Sequence, residues 1–129
     1  KFVLAADTVV AKGRRILPKA KNELEARASL TLLSGGWHCV FSAVVVMSDN
    51  VSLDRVVRTR VHFKRLSHQE LEQYIETEEW RGKAGSYGIQ GRAGALIIEI
   101  QGSYSNVVGL PLFEVKSLLT GIGYSGFFC

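Results

Sequence analysis

Trp37-His38-Cys39-Val40-Phe41-Ser42-Ala43-Val44-Val45-Val46-Met47 is a run rich in β-branched and aromatic side chains, long enough for a central strand. Turn formers follow over 48–54. Val57, Thr59, Val61 and Phe63 then alternate with Arg58, Arg60, His62 and Lys64, the period of two of a strand with one wet face. Two strands in succession with no helix between them argue against a purely parallel, doubly wound sheet.

Toward the N-terminus, Phe2 to Ala6 reads as a short buried strand that ends at Asp7-Thr8. Thr8–Val10 and Ile16-Leu17 flank Lys12-Gly13-Arg14 as a small hairpin or exposed turn. Asn22 with Glu25 three residues on forms a capping box, opening a helix through Leu24, Ala28, Leu32 and Leu33 that stops at Gly35-Gly36. Toward the C-terminus, Ser67 and Glu70 form a second capping box before a helix carrying Leu71, Tyr74 and Ile75. Trp80 to Gly94 is a long loop with five glycines, and loops of that length in a compact domain are usually functional. Ala95–Ile100 reads as a strand, Gly102–Gly109 as a second glycine-bounded loop, and Pro111 as the start of a last helix to about Leu119. The sum is a mixed α/β domain without internal repeats.

Composition agrees. The 129 residues suit one domain, and 47% apolar with 22% charged residues is globular rather than disordered. The longest apolar run, Ala43–Met47, is too short to cross a bilayer, and no basic-then-apolar leader opens the chain. Neither membrane association nor secretion is expected. Cys39 and Cys129 make no disulfide framework and no Cys-x-x-Cys pair, so a reducing, cytoplasmic setting is expected, with Cys39 a small buried hydrophobe. The chain opens on Lys1 and its one methionine is Met47, so further residues are expected upstream.

The net charge is +4, with Lys12, Arg14, Arg15, Lys19 and Lys21 in one cluster and Arg55 to Arg65 in another. Such a balance attracts polyanions or phosphorylated small molecules. Tracking of RNA phosphates by the Arg58–Arg65 strand is the weaker alternative, because no stacking aromatics interleave on its basic side. His38 and His62 lack partners at metal-ligand spacing and read as structural.

Asp7 stands where an apolar strand ends, where a carboxylate either coordinates a divalent cation and deprotonates water or merely caps local amides. Lys83 lies within Gly82-Lys83-Ala84-Gly85, where glycines let backbone amides approach an anion that the ammonium neutralises. This is not the Gly-x-x-x-x-Gly-Lys-Ser/Thr phosphate loop. Gln90 carries donor and acceptor together, suited to a base edge. For Lys83 or Gln90 taken alone, a surface turn is the plainer explanation.

Taken together, three segments resemble one family. Leu4-Ala5-Ala6-Asp7-Thr8-Val9-Val10 is similar to the central motif of the Maf proteins, nucleoside triphosphate pyrophosphatases of the inosine-triphosphatase-like superfamily. Lys83-Ala84-Gly85-Ser86-Tyr87-Gly88-Ile89-Gln90-Gly91 resembles their second motif and Gly102-Ser103-Tyr104-Ser105-Asn106-Val107-Val108-Gly109-Leu110-Pro111 their third. The resemblance implies an elongated mixed β-sheet flanked by helices, with a cleft between two lobes, over a single domain spanning 1–129. It implies hydrolysis of a nucleoside triphosphate to monophosphate and pyrophosphate with a divalent cation, Mg or Mn. Asp7 matches the general base and metal ligand, Lys83 and Lys19 the phosphate-binding lysines, and Thr8 and Gln90 positions tied to base choice. Asp-Thr with Ile-Gln-Gly resembles the branch acting on dTTP and UTP; the branch preferring methylated GTP carries a Glu near Gln90. A homodimer and a link to cell-division arrest and septum formation are implied likewise. Two departures stand out: the family's Ser-x-Ser-Pro-Arg-Arg segment is lacking, and Pro18-Lys19-Ala20 replaces Gly-Lys-Pro. Methylated-purine hydrolysis and nucleotide binding without turnover are the rival readings.

Overall fold

A computed structural model describes residues 1–128, so Cys129 lies outside the described residues. Five strands, β1 (Val3–Lys12), β2 (Arg15–Ile16), β3 (Trp37–Met47), β4 (Ser52–Phe63) and β5 (Ile97–Gln101), form one sheet in the order β2-β1-β3-β4-β5. The helices are α1 (Glu23–Leu33), α2 (His68–Glu76), α3 (Tyr104–Val108) and α4 (Leu112–Gly121).

All four strand pairings are antiparallel, which corrects the expectation of a mixed sheet. The β1–β2 turn and α1 carry the chain back to the end of the sheet at which it left β1, so β3 starts beside the end of β1, with Cys39 opposite Ala11. β3 and β4 pair over their whole length, from Trp37 opposite His62 to Met47 opposite Ser52.

Because side chains alternate across a strand and cross-strand partners share a face, the register sorts the sheet into two surfaces. Val10, Val40, Val44, Val46, Val61 and Phe63 fall on the face that the helices cover. Its core divides into two clusters, one beneath α1 and α2 with Leu30, Leu33, Ile75 and Trp80, the other beneath α4 with Val115, Leu118 and Leu119. The opposite face exposes Ala5, Ala43, Met47, Val56 and Arg58.

Strand β1 is neither short nor buried. It runs unbroken through Asp7, and Phe2 to Asp7 are exposed. Thr8, Val9 and Val10 continue its pairing against Ser42, Phe41 and Val40, and a polar side chain that reaches solvent does not interrupt that ladder. The Ser67–Glu70 capping box is complete. At α1, Asn22 accepts from Glu25 N–H, but the Glu25 carboxylate turns to the Lys21 N–H instead, so that box is half-formed. The Trp80–Gly94 stretch is partly core, with Trp80, Gly85, Ser86, Tyr87 and Ala93 buried and short 3-10 turns at Ala84–Ser86 and Arg92–Leu96. The 102–109 stretch contains α3, capped by Ser103 at its start and by Gly109 at its end. No helix among the described residues is long and apolar enough to cross a membrane.

Candidate active site

A cleft of about 640 Å³ opens along the middle of β1. Asp7, Thr8, Lys19, Lys83 and Gln90, all five of the residues singled out from the sequence, line it. They come from distant stretches of chain, and three pieces of local structure bring them together.

The first is β1 itself. Its inner edge pairs with β3, while β2 takes the outer edge only at Ala11 and Lys12. Over Asp7 and Thr8 the outer edge carries no strand among the described residues. There the Asp7 carboxylate accepts the Thr8 N–H (3.0 Å) and is otherwise exposed.

The second is the lysine loop. Trp80 is buried and its indole N–H donates to the Ile75 carbonyl (3.1 Å), pinning the start of the loop to the core. Gly85 adopts φ +70°, open to glycine at little cost, and a Cβ there would stand 2.8 Å from Val10 Cγ1. This close approach lets the Gly85 N–H reach the Leu17 carbonyl (2.9 Å), which draws the Lys19 stretch to the same wall. The Lys83 stem runs over Gly88, 3.4 Å from where a Cβ would be. Several of the loop amides are engaged within the protein. Those of Lys83, Gly85, Ser86 and Gly91 are spent on the carbonyls of Trp80, Leu17, Lys83 and Gly88. The side-chain cations Lys19, Arg81 and Lys83 line the cleft beside them.

The third is the turn after α3. Fully buried Asn106 donates to the Val40 and Val57 carbonyls and to Thr59 Oγ1 (3.0–3.2 Å), fastening α3 to the sheet. The Gly109 carbonyl is thereby set against Thr8 Oγ1 (3.3 Å), whose other neighbour is the buried hydroxyl of Ser42 (3.0 Å).

Two charged cleft residues, Arg81 and Glu79, went unremarked in the sequence, and Tyr87 stood there only within the glycine loop and its motif. Arg81 stacks over the Trp80 ring (4.6 Å) and pairs with Glu78. Glu79 is held by Arg92, whose N–H lowers its pKa further than burial raises it. Tyr87 bonds His38 Nε2 through its hydroxyl (2.6 Å), and burial pushes its pKa up. The triplet Glu79-Trp80-Arg81, a large aromatic between opposite charges, was the available signal. A buried Trp at its centre puts both charges at the rim.

His38 is structural, as expected, and its environment has a measurable consequence. Burial, helped by Lys12, lowers its pKa from 6.5 to about 4. The unfolded chain therefore binds the extra proton between those values, so stability is lost as pH falls from 6.5 towards 4. The unfolding free energy should drop by roughly 3 kcal/mol over that range in urea titrations, and His38→Gln should remove most of the slope. A flat profile in the wild type would contradict this assignment.

Two further expectations change. Cys39 is only half-buried and accepts the Arg58 Nε–H at 3.4 Å, because it faces the side of the sheet that no helix covers. The basic face of β4 does have an aromatic beside it, contributed by the neighbouring strand: Trp37 stacks against His62 (4.7 Å) and lies under Arg60 (4.3 Å). The ring is already covered by its own neighbours.

For a cation, no group of three His, Cys, Asp or Glu converges among the described residues. Both oxygens of Glu79 go to Arg92, whereas Asp7 gives one of its oxygens to Thr8. One available carboxylate in a basic cleft fits a hard cation that arrives on phosphate oxygens and keeps its waters, not an ion in a protein cage.

Residues 1–122 match the family model described as Maf-like protein. Proteins named dTTP/UTP pyrophosphatase from Maricaulis maris, Granulibacter bethesdensis and Caulobacter vibrioides are 59%, 57% and 55% identical over 124 residues. That stretch is 95% of this chain and 60%, 58% and 64% of those relatives. The chain thus spans about three-fifths of the length of the relatives it matches.

Proposed function

We propose, from the premise that this chain belongs to the Maf-like protein family, that its cleft binds dTTP or UTP and hydrolyses it to the monophosphate and pyrophosphate. The observation that carries this reading is the shared cleft: one available carboxylate, Asp7, lines it together with the cations Lys19, Arg81 and Lys83 and two uncharged hydrogen-bonding side chains, Thr8 and Gln90. Phosphoanhydride hydrolysis asks for little more than charge neutralisation and one aligned water.

Lys83 and Lys19 hold the phosphate tail and offset its charge, and the rigid Gly85 contact keeps their two stretches together. Asp7, as general base, takes a proton from a water that attacks the α-phosphorus; the α–β bridging oxygen leaves with the pyrophosphate. A divalent cation, Mg or Mn, carried on the phosphates and held by Asp7, would supply Lewis acidity and further charge neutralisation. Thr8 and Gln90 face the base, and the Gln90 amide pairs with a carbonyl and N–H of uracil or thymine. A wrong base leaves that amide unpaired, at about 1–3 kcal/mol or ten- to a hundredfold in selectivity. The setting inferred with this chemistry is the cytoplasm, residues 1–129 belong to one two-lobed domain, and the assembly is a homodimer.

The experiment is pyrophosphate release from dTTP, UTP, CTP, GTP and methylated GTP with Mg or Mn. The two uracil-type substrates should lead by about tenfold or more. A lead by methylated GTP would reassign the base edge read at Gln90, and binding without release from any substrate would make this a nucleotide-binding module.

A further inference from the structure

Gln90 sits on an exposed turn, yet a base-reading amide is selective only if its orientation is held. No hydrogen bond among the described residues holds the Gln90 side chain, but the turn around it is fastened at its far end. The Gly91 N–H closes the turn onto the Gly88 carbonyl (3.1 Å), and one residue later the Arg92 N–H donates to Glu79 Oε1 (2.8 Å). The other Glu79 oxygen takes the Arg92 guanidinium. Glu79 itself is aimed from a rigid base. Trp80 beside it is plugged into the core, and Glu78 before it adopts a left-handed φ of +60°, an unusual conformation for a residue with a side chain. Gly91 leaves the carboxylate its room, since an added Cβ would run into Glu79 Oε1.

We propose that Glu79 is a positioning residue: by clamping the main chain at Arg92 it fixes the Gly88–Arg92 turn and so sets how sharply Gln90 discriminates between pyrimidine bases. This rests on the reading of Gln90 as the residue that pairs with the base. The element of the clamp that matters is the acceptor oxygen on the Arg92 N–H. A glutamine at position 79 retains that oxygen; an alanine does not.

The test is calorimetric binding of the non-hydrolysable α,β-methylene analogues of UTP and CTP, with Mg, to the wild-type chain and its variants. The wild type should favour the UTP analogue. Glu79→Ala should narrow that preference about tenfold, while the affinity common to both analogues, which comes from the phosphates, moves much less. Glu79→Gln should keep the preference within about threefold of wild type. If circular dichroism shows Glu79→Ala to be unfolded, Gly91→Ala replaces it. Its backbone (φ −94°) accepts alanine, and the new methyl displaces the same carboxylate, so the same narrowing is expected. An unchanged preference in Glu79→Ala or its substitute overturns the proposal, as does a loss in Glu79→Gln equal to that in Glu79→Ala. A wild type that binds both analogues equally removes instead the role given to Gln90, and one that binds neither removes the nucleotide reading of the cleft; the proposal falls with each.

Discussion

Asp7→Asn should lower the rate of pyrophosphate release from UTP at saturation by about 10²–10⁴-fold, the range over which a positioned general base acts. The substitution isolates chemistry from structure unusually well. Asn keeps an acceptor oxygen for the Thr8 N–H, the one hydrogen bond of the Asp7 side chain among the described residues, and that side chain is exposed in the middle of a strand paired along its inner edge. The thermal midpoint should therefore move by no more than about a degree or two, since surface changes away from special features are close to neutral. Nucleotide affinity should fall far less than turnover, because the lysines are untouched. A loss of turnover smaller than about tenfold would remove Asp7 from the proton transfer.

The second large effect concerns stability. Gly85→Ala should destabilise the fold by about 2–5 kcal/mol in urea denaturation, combining the cost of a left-handed alanine with that of forcing a methyl into a packed contact. Here that contact is with Val10, where the added Cβ would lie 2.8 Å from Cγ1 and 3.1 Å from Cβ. Gly82 provides the control. It has nearly the same backbone angle, +69°, but a Cβ there meets nothing within 4 Å, so Gly82→Ala should cost only the backbone part, about 1–2 kcal/mol. Equal losses for the two variants would mean that the Val10 contact relaxes freely and that the lysine loop is not seated against β1 as described.

Much of this fold can be read in the residues because local chemistry and tertiary demand coincide. The alternation at Val57–Lys64 became buried Val57, Thr59, Val61 and Phe63 against their more exposed neighbours, and Ser67 with Glu70 capped α2 as the pairing required. The failures share one cause: they depend on what a segment packs against. Val3 and Leu4 looked buried by composition, but they line an open groove beside α4 and stay exposed. The polar, glycine-bounded 102–109 stretch looked like a loop until Asn106 tied a turn of helix to the sheet. The five candidate residues were legible through motif resemblance, since neither spacing nor charge joins position 7 to position 83. Glu79 was hidden for a subtler reason. It is one of five carboxylates between Glu70 and Glu79, and only the burial of Trp80 beside it distinguishes the one that turns into the cleft.

The contact between Thr8 and the Gly109 carbonyl spans 101 positions of chain, and between those two ends the cleft also draws on Lys19 and on 79–91. The site is thus built from distant stretches of chain, and no partly folded intermediate lacking either end presents the whole cleft. Occupancy and global unfolding are thus two sides of one equilibrium: any ligand that fills the cleft draws on the cooperative free energy of the whole domain. Its binding would therefore register as slowed amide exchange in strands and helices far from the atoms it touches.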